Sequence, residues 1–227
     1  MVAERLQNVR ERIARAAELS GRSADEVRLL AVTKTHPREL VDEAIAAGHS
    51  LFGENRVQEA GRKYAGLESD VELHLIGHLQ SNKARHVPGL FSWVESIDSL
   101  AIAQAVSRRC ASADRICNVL LQYNSSGEGT KSGYEDGERL LAEAAEIAGL
   151  PGLRLRGVMT IGPFVDDEPR IARAFSETRT LFERLRSSLP EDEIDTLSMG
   201  MTGDFEIAVA EGSTEVRVGS AIFGSRS

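Results

Sequence analysis

A chain of 227 residues with 41% hydrophobic side chains can bury one sizeable core. Its formal charge of −8, with acidic and basic residues interspersed, argues against nucleic acid or an anionic membrane as the main partner and favours a small, locally recognised one. Cys110 and Cys117 form no CxxC or Cys/His ligand spacing, which argues against a disulfide scaffold or a zinc site and fits packing residues in a reducing compartment. The amino terminus, MVAERLQNVRERIARAAELSG, is charged throughout, so neither a signal peptide nor a membrane span is expected there, and the expected location is the cytoplasm.

Leu6, Val9, Ile13, Ala16 and Ala17 recur at helical spacing ahead of Gly21, and Ser23 with Glu26 has the form of a capping box. A leading helix is therefore expected before the first strand, 29–33. Further strands are expected over 50–53, 73–77, 91–94, 116–123, 155–161, 194–197 and 215–218. Between them, helical patterns cover 37–47, 55–65, 80–86, 99–110, 134–148, 169–187 and 204–210, with Pro37 and Pro169 at first helical positions.

Eight β-α units without a break in composition predict a single domain, 1–227, folded as a closed (β/α)8 barrel. An open doubly wound sheet would also alternate strand and helix, but the first turn, 33–37, carries no G-x-G-x-x-G.

In such barrels the active site collects at the carboxyl ends of the strands. The polar residues that fall there are Lys34, the Gly53-Glu54-Asn55-Arg56 run, His78, and the Gln80-Ser81-Asn82-Lys83 run. Met159-Thr160, the stretch 198–203, and Arg217 with Gly219-Ser220 complete the rim. Lys34 taken alone also fits a solvated lysine at a sheet edge. The loops SMGMTGDF and VGSAIFG add glycines and the hydroxyls of Ser198, Thr202 and Ser220 at the two positions where barrels bind phosphate. A lysine and a phosphate site on one rim suit either an aldolase-like Schiff base with a sugar phosphate or pyridoxal phosphate held as an imine.

The stretches AVTKTHP, LFGENRVQE, HLIGHLQSNK, GTKSGY, GVMTIGPF and LSMGMTGDFEIAVAEGSTEVRVGSAIFGSR span nearly the whole chain. On them the sequence closely resembles the pyridoxal phosphate homeostasis proteins, single-barrel relatives of the amino-terminal domain of alanine racemase. The resemblance implies an alanine racemase-like α/β TIM barrel with an extra N-terminal helix, and pyridoxal 5'-phosphate (PLP) as cofactor. Lys34 then matches the lysine that holds PLP as a Schiff base, and Asn55 a rim contact to its ring. Ser198, Thr202, Gly219 and Ser220 match phosphate-binding positions, and Arg217 matches the arginine facing the pyridine nitrogen. The family commonly has Ser where Thr202 stands, a change that keeps the hydroxyl and adds a methyl.

A permanent cation beside the pyridine nitrogen disfavours its protonation, which makes the ring a weaker electron sink. Only a short tail follows Val218, so the second, β-rich domain of the racemases, with its opposing tyrosine, is expected to be missing. Tyr64, Tyr123 and Tyr134 read as packing aromatics, while His78, Lys83 and Lys131 are candidates for moving protons near the rim. The loop 124–133, with three glycines and four Ser or Thr residues, is expected to gate the cofactor, with Lys131 as a transient second amine. The function expected is PLP binding for intracellular homeostasis and delivery, without efficient turnover. Partners would be small amines or amino acids and PLP-dependent apo-enzymes, and the chain would be a monomer. The alternatives are a low-activity PLP-dependent amino acid racemase using the same lysine and, third, a Schiff-base aldolase without cofactor.

Overall fold

Eight short apolar strands, each followed by a chain reversal, close into a parallel barrel in sequence order, the last strand pairing with the first. The computed structural model describes residues 1–67, 71–126, 132–189 and 193–224. In order the elements are α1 (Val2–Leu19), β1 (Arg28–Val32), α2 (Arg38–Ala46), β2 (Leu51–Glu54), α3 (Val57–Lys63) and β3 (Glu72–Leu75). β4 (Trp93–Ile97), α4 (Leu100–Ser112), β5 (Cys117–Tyr123), α5 (Gly137–Ala148) and β6 (Leu153–Thr160) follow. The chain then forms α6 (Glu168–Ser188), β7 (Thr196–Ser198), α7 (Phe205–Ala210), β8 (Glu215–Val218) and α8 (Ser220–Phe223). This is the expected (β/α)8 barrel, with a leading helix.

Side chains alternate across each strand, and this alternation separates two interiors. In β1, Leu29 and Ala31 join the large core between strands and helices, whereas Leu30 and Val32 pack with Leu51 and Ile76. Val216 and Val218 of β8 also belong to the outer core, which turns Glu215 and Arg217 into the barrel. Trp93, Leu120 and Met159 form a second small apolar cluster.

The leading helix buries Leu6, Val9, Ile13 and Ala17 and packs on α2, α7 and α8, the helices that flank β1 and β8. Arg12 fixes it to α7, with hydrogen bonds of 2.9 and 2.8 Å to Glu206 and its guanidinium over the Phe205 ring. Ser23 and Glu26 do form a capping box, on a single 3-10 turn, Ala24–Glu26.

The helices are less uniform than expected. After β3 the crossover is only a 3-10 segment, Ser81–His86, and α7 is six residues long. Pro37 is the N-cap of α2 with extended backbone, and the helix starts at Arg38. The helix expected over 55–65 is confined to Val57–Lys63, because the chain bends at Asn55 and Arg56, the N-cap, has extended backbone. The fourth strand lies at Trp93–Ile97, beyond the expected 91–94. Cys110 and Cys117 are both buried and form no disulfide. Among the described residues no helix is long and apolar enough to cross a membrane.

Candidate functional site

At the carboxyl ends of the strands the barrel opens into a cavity of about 440 Å³. Lys34, Asn55, Thr202, Arg217, Gly219 and Ser220, distant in sequence, all line it. Barrel register brings them together: β1 and β8 pair Leu30 with Arg217 and Ala31 with Val218, which sets the turn after β1 beside Gly219. A Cβ on Gly219 would stand 3.2 Å from the Val32 carbonyl oxygen, so glycine suits that approach. Asn55 depends on a closer one, since a Cβ on Gly77 would lie 2.3 Å from the Asn55 carbonyl oxygen.

The cavity belongs to a chain of charge −8, yet among the described residues its charged lining is Lys34 and Arg217, with His36 beside them and no carboxylate. Such a site favours an anion. Thr202, Gly203, Gly219 and Ser220 offer two hydroxyls and close backbone at the loops after β7 and β8, where barrels bind phosphate. Val32, Ile76, Ile161 and Met201 supply apolar wall, and Phe164, 95% exposed, stands at the mouth.

Ser198 departs from the expected set. It is fully buried and does not line the cavity: its Oγ accepts from Arg217 at 2.7 Å and lies 2.6 Å from Glu95 Oε2. The inward side of β7 places this hydroxyl beneath Arg217, where it supports the guanidinium. The second Arg217 nitrogen donates to the Thr160 carbonyl at 2.6 Å.

Below Ser198 runs a charge network, buried at Glu95, His74 and Glu215 and reaching half-exposed Glu72 and Arg28. Glu95 meets His74 Nδ1 at 2.6 Å, His74 Nε2 meets Glu72 at 3.0 Å, and Glu72 meets Arg28 at 2.8 Å. Glu215 lies 3.2 Å from Ser198 Oγ and 3.9 Å from the nearest Arg28 nitrogen. Burial alone would lower the His74 pKa, but Glu215, Glu72 and Glu95 outweigh it and raise it to about 9. Burial, then the charge of Glu95, pushes Glu215 up to about 8. His74, Glu95 and Glu215 have metal-ligand chemistry and lie close together, but both His74 nitrogens already face carboxylates, as a protonated imidazole requires.

Sequence reasoning missed this network because its members come from β1, β3, β4, β7 and β8. Its signal was a charged residue at alternate positions of otherwise apolar strands, as in Glu215-Val216-Arg217-Val218. It also missed His36, Ile76 and Phe164 in the cavity lining.

A smaller cavity of about 150 Å³ adjoins the first, sharing Asn55, Ile76 and Ile161 and adding His78, Gln122, Tyr123, Asn124 and Ser132. His78 Nδ1 is 3.0 Å from Asp98 Oδ2. Tyr64 is buried with its hydroxyl 2.6 Å from Thr33 Oγ1, and Tyr134 donates to Glu143 at 2.7 Å, so both anchor structure away from the cavities. Lys83 lies in the 3-10 segment after β3 and lines neither cavity. Lys131, like residues 127–130 of the expected gating loop, lies outside the described residues.

Fold and cavity together define a protein of the alanine racemase, N-terminal domain class, whose family model matches residues 5–227. A Pseudomonas aeruginosa protein named pyridoxal phosphate homeostasis protein is 46% identical, over 99% of this chain and 96% of its own length. The chain belongs to the pyridoxal phosphate homeostasis protein family. PipY of Synechococcus elongatus is 38% identical, with 99% of this chain and 100% of PipY covered. It superposes with a TM-score of 0.89 without PLP and 0.84 with PLP bound.

Proposed function

We propose that this chain binds PLP, attached covalently at Lys34, and acts in intracellular PLP homeostasis and delivery. The observation that carries the reading is the meeting of Lys34, buried Arg217 and the two glycine-bearing loops in one cavity with no carboxylate among its described lining residues. When bound, PLP supplies an aldehyde that condenses with amines, on a flat ring that carries a phosphate.

The residues match those parts. Among the described residues Lys34 is the amine of the cavity. Thr202, Gly203, Gly219 and Ser220 form the anion cradle, and Val32, Ile76 and Ile161 give walls suited to a flat ring. Asn55 is the polar contact at the rim, and Arg217, held by Ser198 and Thr160, keeps a fixed positive charge that opposes a second one on a neighbouring ring nitrogen. Ser198 acts on the cofactor only through Arg217. An open mouth suits exchange with small amines or amino acids and transfer to PLP-dependent apo-enzymes, by a monomer working in the cytoplasm. The homeostasis relatives and the PLP-bound PipY support this reading.

PLP titrated into the wild-type chain and Lys34→Ala tests it. The reading expects visible absorbance of bound cofactor only in the wild type, and recovery of activity when the loaded chain meets a PLP-dependent apo-enzyme. Identical spectra for the two chains would remove it.

The adjoining cavity favours one second reading, a low-activity amino acid racemase, because His78 with Asp98 and Tyr123 stand there beside Asn55. Racemisation that disappears in Lys34→Ala and falls in Tyr123→Phe would establish it.

A further inference from the structure

Lys34 sits in a turn that its own sequence does not favour. Thr35 has φ 66°, in the left-handed region that a β-branched residue rarely enters. Such a backbone persists where surrounding contacts over-determine it. Here the contacts come from outside the barrel, from α3.

Lys63, in the last turn of α3, is 8% exposed, and its ammonium donates to the Thr33 carbonyl at 2.6 Å, Glu54 Oε1 at 2.7 Å and Glu59 Oε1 at 2.8 Å. These three bonds use every ammonium proton. Glu59 Oε1 also accepts the Thr35 backbone N–H at 2.6 Å. The carbonyl just before Lys34 and the amide just after it are thus tied to a single ion pair. The Thr33 carbonyl further accepts from the His36 amide at 3.0 Å, which closes the turn around Lys34. Thr33 Oγ1 donates to Glu54 Oε1 at 2.7 Å, fixing the far side of the cluster.

A buried ion pair whose only role was to seat α3 would have no need of these backbone atoms. Val57 and Ala60 already bury that helix against the outer core. Taking the Lys63 ammonium and the Glu54 carboxylate out of water is costly, and the bonds that the ammonium and half-buried Glu59 make converge on the residues either side of Lys34.

We propose that Lys63 and Glu59 are positioning residues for Lys34, holding the 33–35 turn in the left-handed form that presents its amine to the cavity. This rests on reading Lys34 as the attachment residue for PLP. Neither residue touches the cavity, so each acts through the turn.

The test uses the whole chain carrying Lys63→Met or Glu59→Gln, with folding checked by circular dichroism. In cofactor-free protein, amide exchange at Thr35 and His36 is expected to rise about tenfold or more, and borohydride trapping of PLP at Lys34 to slow by about tenfold. Adding Thr35→Gly to either variant is expected to recover most of the trapping rate, because glycine holds φ 66° without strain. A purely structural ion pair would show no such rescue. Wild-type trapping by a folded variant, or unchanged exchange at both amides, overturns the proposal. If Lys63→Met does not fold, the isosteric Glu59→Gln decides the matter alone. Absence of PLP trapping at Lys34 in the wild type would instead sink the cofactor reading, and the exchange rates would still decide whether the ion pair holds the turn.

Discussion

Arg217 donates to Ser198 Oγ at 2.7 Å, and that bond joins the cation of the cavity to a charge network running through the barrel interior. The guanidinium is 4% exposed and also bound to the Thr160 carbonyl, so its position is set from below and from the side. It is pre-organised before any ligand arrives.

Arg217→Met keeps much of the volume and removes the charge. It leaves Ser198 Oγ and the Thr160 carbonyl without their donor, while Glu95 keeps His74 as its cation, and is expected to destabilise the fold by about 2 kcal/mol, the scale for leaving buried polar groups unpaired. PLP affinity should fall by about tenfold or more with it. Urea unfolding and PLP titration measure the two effects. A variant that is as stable as the wild type would show that the network does not depend on Arg217.

The network also sets how stability responds to pH. His74 is raised from 6.5 to about 9, so its contribution is complete below about pH 6.5 and lost as pH rises through 9. Glu215 is raised from 4.5 to about 8, and the stability it adds while protonated is likewise lost as pH rises, between those values. His49, lowered by burial to about 4, acts in the opposite sense but only below about 6.5. The urea midpoint should therefore fall steadily from pH 6.5 to 9.5, and His74→Gln should flatten the slope. A midpoint that rises over that window would contradict a protonated His74.

Phe164 stands at the cavity mouth with its ring 95% exposed. Phe164→Ser removes no buried contact, and stability should stay within about 0.5 kcal/mol. Faster release of PLP is the expected effect, since apolar cover over the ring is lost, and stopped-flow transfer to an apo-enzyme would record it. Unchanged release would leave Phe164 as an incidental exposed aromatic.

The barrel was legible because its signal is periodic and local: eight apolar runs, each with a turn and helical spacing behind it. The rim was legible for the same reason, since a strand's end is a local feature, and Lys34, Asn55, Thr202, Arg217, Gly219 and Ser220 do share one cavity. Ser198, expected on that rim, lies one step deeper, in the barrel interior. Whether a hydroxyl at a strand end faces the mouth or the interior is set by barrel register, which pairs Ser198 with Met159 and Glu215. The Lys63–Glu59 pair was illegible as a support for Lys34 because it reaches the turn through space from α3, and the left-handed φ of Thr35 has no signature in a β-branched residue. The three-residue strand β7 and the short crossovers escaped boundary reading because ladder pairing across the barrel fixes them more than their own composition does.

In the proposed function Lys34 is the residue that holds PLP. Borohydride reduction of the PLP-treated chain, followed by peptide mapping, tests it most directly: the reduced cofactor should be found on the peptide containing Lys34, and Lys34→Ala should carry none. Label distributed over other lysines, with Lys34 unmodified, would contradict it.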